Sequence, residues 1–268
     1  LNGKKLAPAL AAGNSFILKP SPYTPIAALL FAEILEEAGL PPGVLSVIPT
    51  TDDAMGDTLF SDPRVNLITF TGSARVGGIL AELAGRYQKR IVLELGGKSP
   101  LVVLADADLD YAVRSAAFGI FFNQGQVCMA NSRIIVEAPI YDAFCAAFTE
   151  KVKQVPFGDP ALEQTAVGPL IDVGQVTFIQ QHINEAVSKG ATLLTGGSAE
   201  GNVLEPSVLV GVKPGMEVYN EESFGPLAAI YKAQDFDHAV EIANDTSYGL
   251  SSGIITNDLQ KAFDFALR

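Results

Sequence analysis

The chain has 268 residues, of which 48% are hydrophobic, and a mean hydropathy of +0.27. That is enough apolar material for one large domain or two ordinary ones, and it excludes a disordered segment. The net charge of −12, from 18 basic and 30 acidic residues with no Lys/Arg cluster, repels phosphate backbones and anionic lipid, which argues against nucleic-acid and membrane partners.

Strands alternate with helices from the start. Residues 16–18 read as a short apolar strand, followed by a rigid loop marked by Pro20, Pro22 and Pro25. Ile26, Leu29, Leu30, Ile34 and Leu35 fall near a 3.6-residue period, which predicts a helix over 26–38 with Gly39 as its stop. Strands are expected at 44–48, 65–71 and 91–95, with helices near 54–60 and over 73–84. The pair Gly96-Gly97 marks a domain boundary, giving units 1–95 and 96–268.

Beyond it the rhythm resumes, with strands at 101–104 and 134–136 and helices over 109–122 and 141–155. Residues 156–174 hold Pro and Gly without a period and read as a long loop. A helix over 175–189 comes next, then strands at 193–194 and 208–210 around the Gly196-Gly197 turn. Residues 235–244 are helical, 253–256 a strand, and 259 onward a helix. This βαβ rhythm predicts an α/β fold of parallel twisted sheets with flanking helices.

The two cysteines, Cys128 and Cys145, support no disulfide framework, and a free thiol suits a reducing, cytoplasmic setting. No run approaches the length of a transmembrane helix, and the first residues are not a signal peptide. The chain lacks an initiator Met and stops at Leu267-Arg268 inside a helical pattern, so both ends are expected to be cut.

Cys145 sits in an Ala/Phe helical face, as a small buried hydrophobe would. Cys128 does not. It follows the polar turn Asn123-Gln124-Gly125-Gln126, where backbone N–H groups favour a thiolate and can bind an oxyanion. Glu94 interrupts the apolar strand Ile91-Val92-Leu93-Glu94-Leu95, and apolar surroundings raise a carboxyl pKa toward that of a usable base. The alternative for Glu94 is an edge-strand carboxylate pointing to water. Residues 68–77, Ile-Thr-Phe-Thr-Gly-Ser-Ala-Arg-Val-Gly, are strand, tight turn and helix N-terminus, a place for a pyrophosphate without the GxGxxG pattern. His182 and His238 read as surface histidines, and no ligand spacing suggests a metal.

The runs Phe121-Phe122-Asn123-Gln124-Gly125-Gln126-Val127-Cys128 and Leu93-Glu94-Leu95-Gly96-Gly97-Lys98-Ser99-Pro100 together resemble the active-site signatures of the aldehyde dehydrogenase superfamily. The resemblance implies a partial Rossmann-like cofactor domain over 1–95 and an α/β catalytic domain over 96–268. It implies Cys128 as nucleophile and Glu94 as the base that activates the hydrolytic water. It also implies a cofactor contacted by Lys19, Ser21, Gly72, Ser73, Gly77 and Leu95, with Glu222 on the nicotinamide ribose and Phe224 near the ring. The cofactor that the resemblance implies is NAD. Many members carry a Glu three residues after the Lys, whereas this chain has Pro22, so NADP stays open.

The segments 128–133, 19–25 and 243–250 look most like the branch acting on aromatic aldehydes such as benzaldehyde, vanillin and salicylaldehyde. A small-molecule aldehyde substrate and a homo-oligomer follow from the same resemblance. The family's Trp-Asn segment is expected before Leu1 and its Gly-rich substrate loop after Arg268, so the chain taken literally is expected to be impaired and to self-associate. Two other readings remain: a non-catalytic remnant that binds a nucleotide or a subunit, and transfer of the acyl group to coenzyme A.

Overall fold

A computed structural model describes residues 2–51, 55 and 57–268. They form two compact units, the first ending at Leu95 and the second running from Gly96 to Arg268.

The first unit opens with helix α1 (Asn2–Ala11), which the sequence reading did not anticipate. Strand β1 (Phe16–Leu18) pairs in parallel with β2 (Leu45–Val47), and helix α2 (Ile26–Glu37) connects them. Leu6, Leu18 and Ala28 are buried together at the centre of this part. Of the helix expected near 54–60, Ala54 and Gly56 lie outside the described residues, and α3 (Thr58–Ser61) is a single turn. Strand β3 (Leu67–Thr71) leads through a tight turn into α4 (Ala74–Arg86) and back to β4 (Arg90–Glu94), parallel to β3. The Ser73 side chain caps α4 by accepting from Val76 N–H.

The second unit is built on a six-stranded sheet. Its members are β5 (Pro100–Val103), β6 (Arg133–Glu137), β7 (Thr192–Thr195), β10 (Ser207–Val210), β11 (Leu227–Ala233) and β12 (Gly253–Ile255), in the order β12-β5-β6-β11-β10-β7. Every pairing is parallel except β7 with β10. Helices α5 (Leu109–Phe121), α6 (Tyr141–Lys153), α7 (Val173–Ser188), α8 (Glu217–Asn220), α9 (Phe236–Asn244) and α10 (Leu259–Leu267) connect the strands. A small antiparallel pair, β8 (Ala199–Glu200) and β9 (Val203–Leu204), stands apart from the main sheet.

Strands of period two send alternate side chains to opposite faces, and each face carries its own core. Val102, Ile135, Leu227, Ala229 and Tyr231 pack with Val176, Ile179 and Ile183 of α7 and with Ala239 and Ala243 of α9. Leu101, Val103, Ile134, Val136, Ala228 and Ile230 pack on the other side with Ala112, Ala116 and Ile120 of α5 and with Phe144 and Phe148 of α6. Covering both faces makes the inner strands apolar without alternation, as in other parallel sheets.

That is why β11 was missed. Leu-Ala-Ala-Ile-Tyr-Lys-Ala has neither a period-two pattern nor a run of β-branched residues, yet every residue of it but Lys232 is buried. Helix α8 and the β8–β9 pair were also not anticipated, each being four residues or fewer per element. The strands around the Gly196-Gly197 turn are β7 and β10, and their antiparallel pairing departs from the all-parallel expectation.

Candidate active site

Strands β5, β6 and β11 are adjacent and parallel, so the loops that precede them emerge at one end of the sheet. These loops carry Gly96-Gly97, Cys128 and Glu222-Phe224.

Cys128 owes its position to an unusual backbone. Helix α5 ends at Phe121, and Asn123, Gln124 and Gly125 then take φ of 50°, 59° and 69° in succession. Two non-glycine residues in the left-handed region cost free energy, of order 1–3 kcal/mol each, and persist only where neighbours enforce them. Here Gln126 N–H donates to the Asn123 carbonyl at 3.0 Å, the Asn123 side chain donates to the Gln126 carbonyl at 3.2 Å, and the Gln126 side chain accepts from Ile171 N–H at 3.0 Å. After the turn, Ala130 N–H bonds to the Val127 carbonyl at 2.9 Å and Asn131 N–H to the Gly119 carbonyl at 3.0 Å. Among the described residues the Cys128 N–H has no acceptor, and the thiol is half-buried.

Two glycines permit the loops to meet. A Cβ on Gly97 would collide with the Cys128 carbonyl, and one on Gly125 would collide with the Gly225 carbonyl. Gly125→Ala is therefore expected to lower stability by about 1–3 kcal/mol, from both the positive φ and the collision, as urea denaturation would measure.

The segment 221–225 is fixed almost residue by residue. Lys98 Nζ donates to the Glu221 carbonyl at 2.5 Å. Glu222 Oε1 accepts from Gly97 N–H at 3.0 Å. Gln175 Nε2 donates to the Ser223 carbonyl at 2.8 Å and the Phe224 carbonyl at 3.2 Å. His182 Nδ1 and Ser223 Oγ are 3.1 Å apart. Phe224 itself has φ of +49°. Burial raises the Glu222 pKa, against the Gly97 hydrogen bond and the Lys98 charge, which lower it.

His182 corrects the sequence reading. It is 1% exposed rather than on the surface, lies against the Phe178 ring, and burial lowers its pKa. Its helix position looked polar because Gln181 and Asn184 flank it, but α7 turns residues 176, 179, 183 and 186 to the core and His182 shares that side. His238 is half-exposed and accepts from Gln234 N–H. Cys145 is half-buried, and burial raises its pKa.

In the first unit Gly72, Ser73 and Leu95, of the expected cofactor residues, follow the C-terminal ends of β3 and β4, and Gly77 lies in α4. Gly72 N–H donates to the Glu94 carbonyl at 3.0 Å. Gly77 is buried, and a Cβ there would strike the Leu95 side chain. No acidic side chain occupies the first turn of α4, and the Thr71 hydroxyl is buried without a partner among the described residues. Lys19 follows β1 and is half-buried, while Ser21 is exposed, its hydroxyl accepting from Tyr23 N–H at 3.3 Å.

Glu94 departs from expectation in its surroundings. Strand β4 alternates, so Glu94 shares an exposed face with Arg90 and Val92 rather than sitting in an apolar enclosure of its own unit. Apolar residues at 91, 92, 93 and 95, on both faces of the strand, hide that alternation in the sequence.

Lys98 is the residue that sequence reasoning passed over. It lies inside the quoted glycine motif, is 3% exposed, and has its pKa pushed down to about 7, first by burial and then by the Arg133 charge, with Glu222 and Glu221 opposing. A Lys directly after two glycines and before Ser-Pro at a strand start was the available signal. Among the described residues no group of three or more His, Cys, Asp or Glu is placed to hold a metal, and no helix is long and apolar enough to cross a membrane.

Comparison with known proteins places this geometry in context. Vanillin dehydrogenase from Pseudomonas fluorescens is 43% identical over 99% of this chain and 56% of its own length. A salicylaldehyde dehydrogenase from Pseudomonas putida, solved with salicylaldehyde, superimposes with a TM-score of 0.92 at 40% identity, over 95% of this chain and 54% of that one. Betaine aldehyde dehydrogenase from Staphylococcus aureus, solved with NAD+, gives a TM-score of 0.95 at 34% identity, over 98% of this chain and 54% of that one. The chain thus spans about half the length of the relatives it matches. The aldehyde dehydrogenase family model matches residues 1–268, and the chain belongs to that family.

Proposed function

We propose that the protein oxidises an aldehyde, of aromatic type, to the carboxylic acid with a nicotinamide dinucleotide, through a thioester on Cys128. The observation that carries this reading is the meeting of the Gly97, Cys128 and Glu222 loops at one end of a parallel sheet, with Cys128 after a strained turn and its N–H without an acceptor among the described residues.

The Cys128 thiolate attacks the carbonyl carbon. A C–S bond forms and the carbonyl π pair moves to oxygen, where the Cys128 N–H is available as a donor. A nicotinamide dinucleotide, held with Glu222 on its ribose and Phe224 at its ring, would supply the hydride acceptor for this carbon. Collapse of the oxyanion leaves a thioester. Glu94 takes a proton from water, the water oxygen attacks the thioester carbon, and the Cys128 thiolate departs as the acid is released.

The first unit suits the dinucleotide. The capped N-terminus of α4, free of acidic side chains, and the close Gly77–Leu95 approach accept a pyrophosphate, and the orphaned Thr71 hydroxyl gains a partner there. Glu222 would hold the ribose hydroxyls, Phe224 the ring, and Lys19 and Ser21 the adenosine side. NAD is the cofactor proposed, with Pro22 presenting no carboxylate to repel the NADP phosphate.

Absorbance at 340 nm should rise when NAD is supplied with benzaldehyde, vanillin or salicylaldehyde, with higher kcat/KM than for short aliphatic aldehydes. Absence of cofactor reduction with every aldehyde would overturn the reading, and an aliphatic preference would overturn the aromatic assignment.

A further inference from the structure

The loop that carries Glu222 is held by a buried cation that the reaction itself does not use. We propose that Lys98 is a positioning residue whose ammonium keeps Glu222 in place for the cofactor ribose, so that cofactor affinity is linked to the protonation of Lys98. This rests on the dehydrogenase reading and adds a regulatory property to its site.

The geometry is specific. Lys98 Nζ bonds to the Glu221 carbonyl at 2.5 Å, while the next amide upstream, Gly97 N–H, bonds to Glu222 Oε1 at 3.0 Å. Successive residues of one loop thus hold successive residues of the other. Gly96 and Gly97 leave no room for anything between them, because a Cβ on Gly96 would strike the Glu222 carboxylate and one on Gly97 the Cys128 carbonyl. Lys98 is therefore next to the residue that abuts the nucleophile. Its side chain is enclosed, being 3% exposed, and is one of few buried charged groups in the unit.

Four ionisable groups act on it or feel it. Arg133, at the start of β6, repels the ammonium; Glu221 and Glu222, on the held loop, attract it; and His182 of α7 has its own pKa lowered by it. Arg133 is fully buried and turned to the Ile242 and Ala243 carbonyls at the end of α9, so it does not neutralise Glu222. Tyr248 joins Gln175 and His182 in binding the loop from outside, its hydroxyl donating to Glu221 Oε2 at 3.3 Å and accepting from Glu222 N–H at 3.5 Å.

Burial drives the Lys98 pKa down to about 7, so the ammonium exchanges for the amine within the neutral range. The amine still donates to the Glu221 carbonyl, but it no longer attracts Glu222. Below that pH the buried ammonium attracts the Glu222 carboxylate; above it, that attraction is withdrawn. Affinity for the cofactor therefore falls as pH rises through about 7.

Fluorescence titration with NADH from pH 5.5 to 9 tests this without relying on turnover. The unaltered protein should show a dissociation constant that rises about 5- to 20-fold, the ordinary size of a linkage between two sites. Lys98→Met should bind weakly at every pH, with the step gone, and Lys98→Arg should keep its charge and bind with no step near 7. Circular dichroism and thermal melting establish that each variant is folded; if Lys98→Met does not fold, Lys98→Arg decides. A variant that retains the wild-type step overturns the inference while leaving the dehydrogenase reading intact. Failure of the unaltered protein to bind NADH at any pH overturns the nucleotide reading and the inference with it.

Discussion

Cys128→Ala should abolish aldehyde-dependent cofactor reduction, with kcat lower by at least about 10⁴-fold, since removing the nucleophile of a covalent mechanism leaves only binding and oxyanion stabilisation. The substitution is clean. The thiol is half-buried rather than packed in either core, and the turn that presents it is held by backbone and by the Asn123 and Gln126 side chains. Melting temperature and NADH affinity should therefore stay near wild type. A variant that reduces NAD with benzaldehyde at more than a hundredth of the parent rate would remove Cys128 from the chemistry. Loss of NADH binding together with activity would instead indicate a structural role for the residue.

Glu94→Gln should separate the two halves of the reaction. Loss of a general base costs about 10²- to 10⁴-fold, and here it falls on release of the acid. Steady-state kcat drops by that factor, while a rapid-mixing trace still shows one equivalent of NADH per site in the first turnover. Glu94 is exposed at the end of β4, and a surface change of this kind shifts stability by less than about 0.5 kcal/mol. The same variant distinguishes hydrolysis from acyl transfer. If coenzyme A restores full turnover to Glu94→Gln in proportion to its concentration, the thioester is normally passed to a thiol and the hydrolytic assignment falls.

The family-type segments at 93–100 and 121–128 were legible because they combine residues of special backbone demand, Gly96, Gly97 and Gly125, with a single carboxylate and a single thiol. The long amphipathic helices were legible for a similar reason. Periodicity of 3.6 among Ile26, Leu29, Leu30, Ile34 and Leu35 marks the helix at 26–37 whatever packs against it. The sequence pattern thus determined the alternating α/β order, the thiol on a polar turn, and the glycines that let one loop approach another. These are local properties, set by φ/ψ preference and spacing.

Tertiary structure alone decided the rest. It made β11 a central strand, because enclosure between two helical layers, and not alternation, is what an inner parallel strand must satisfy. It buried His182 against Ser223 and Lys98 against Glu221, partners 41 and 123 residues away, whose hydrogen bonds have no counterpart in any local pattern. It exposed Glu94 by placing it on the outer side of a two-stranded pair. Burial of a charge depends on which distant segments close over it, and that is fixed by long-range packing, which no short window of residues contains.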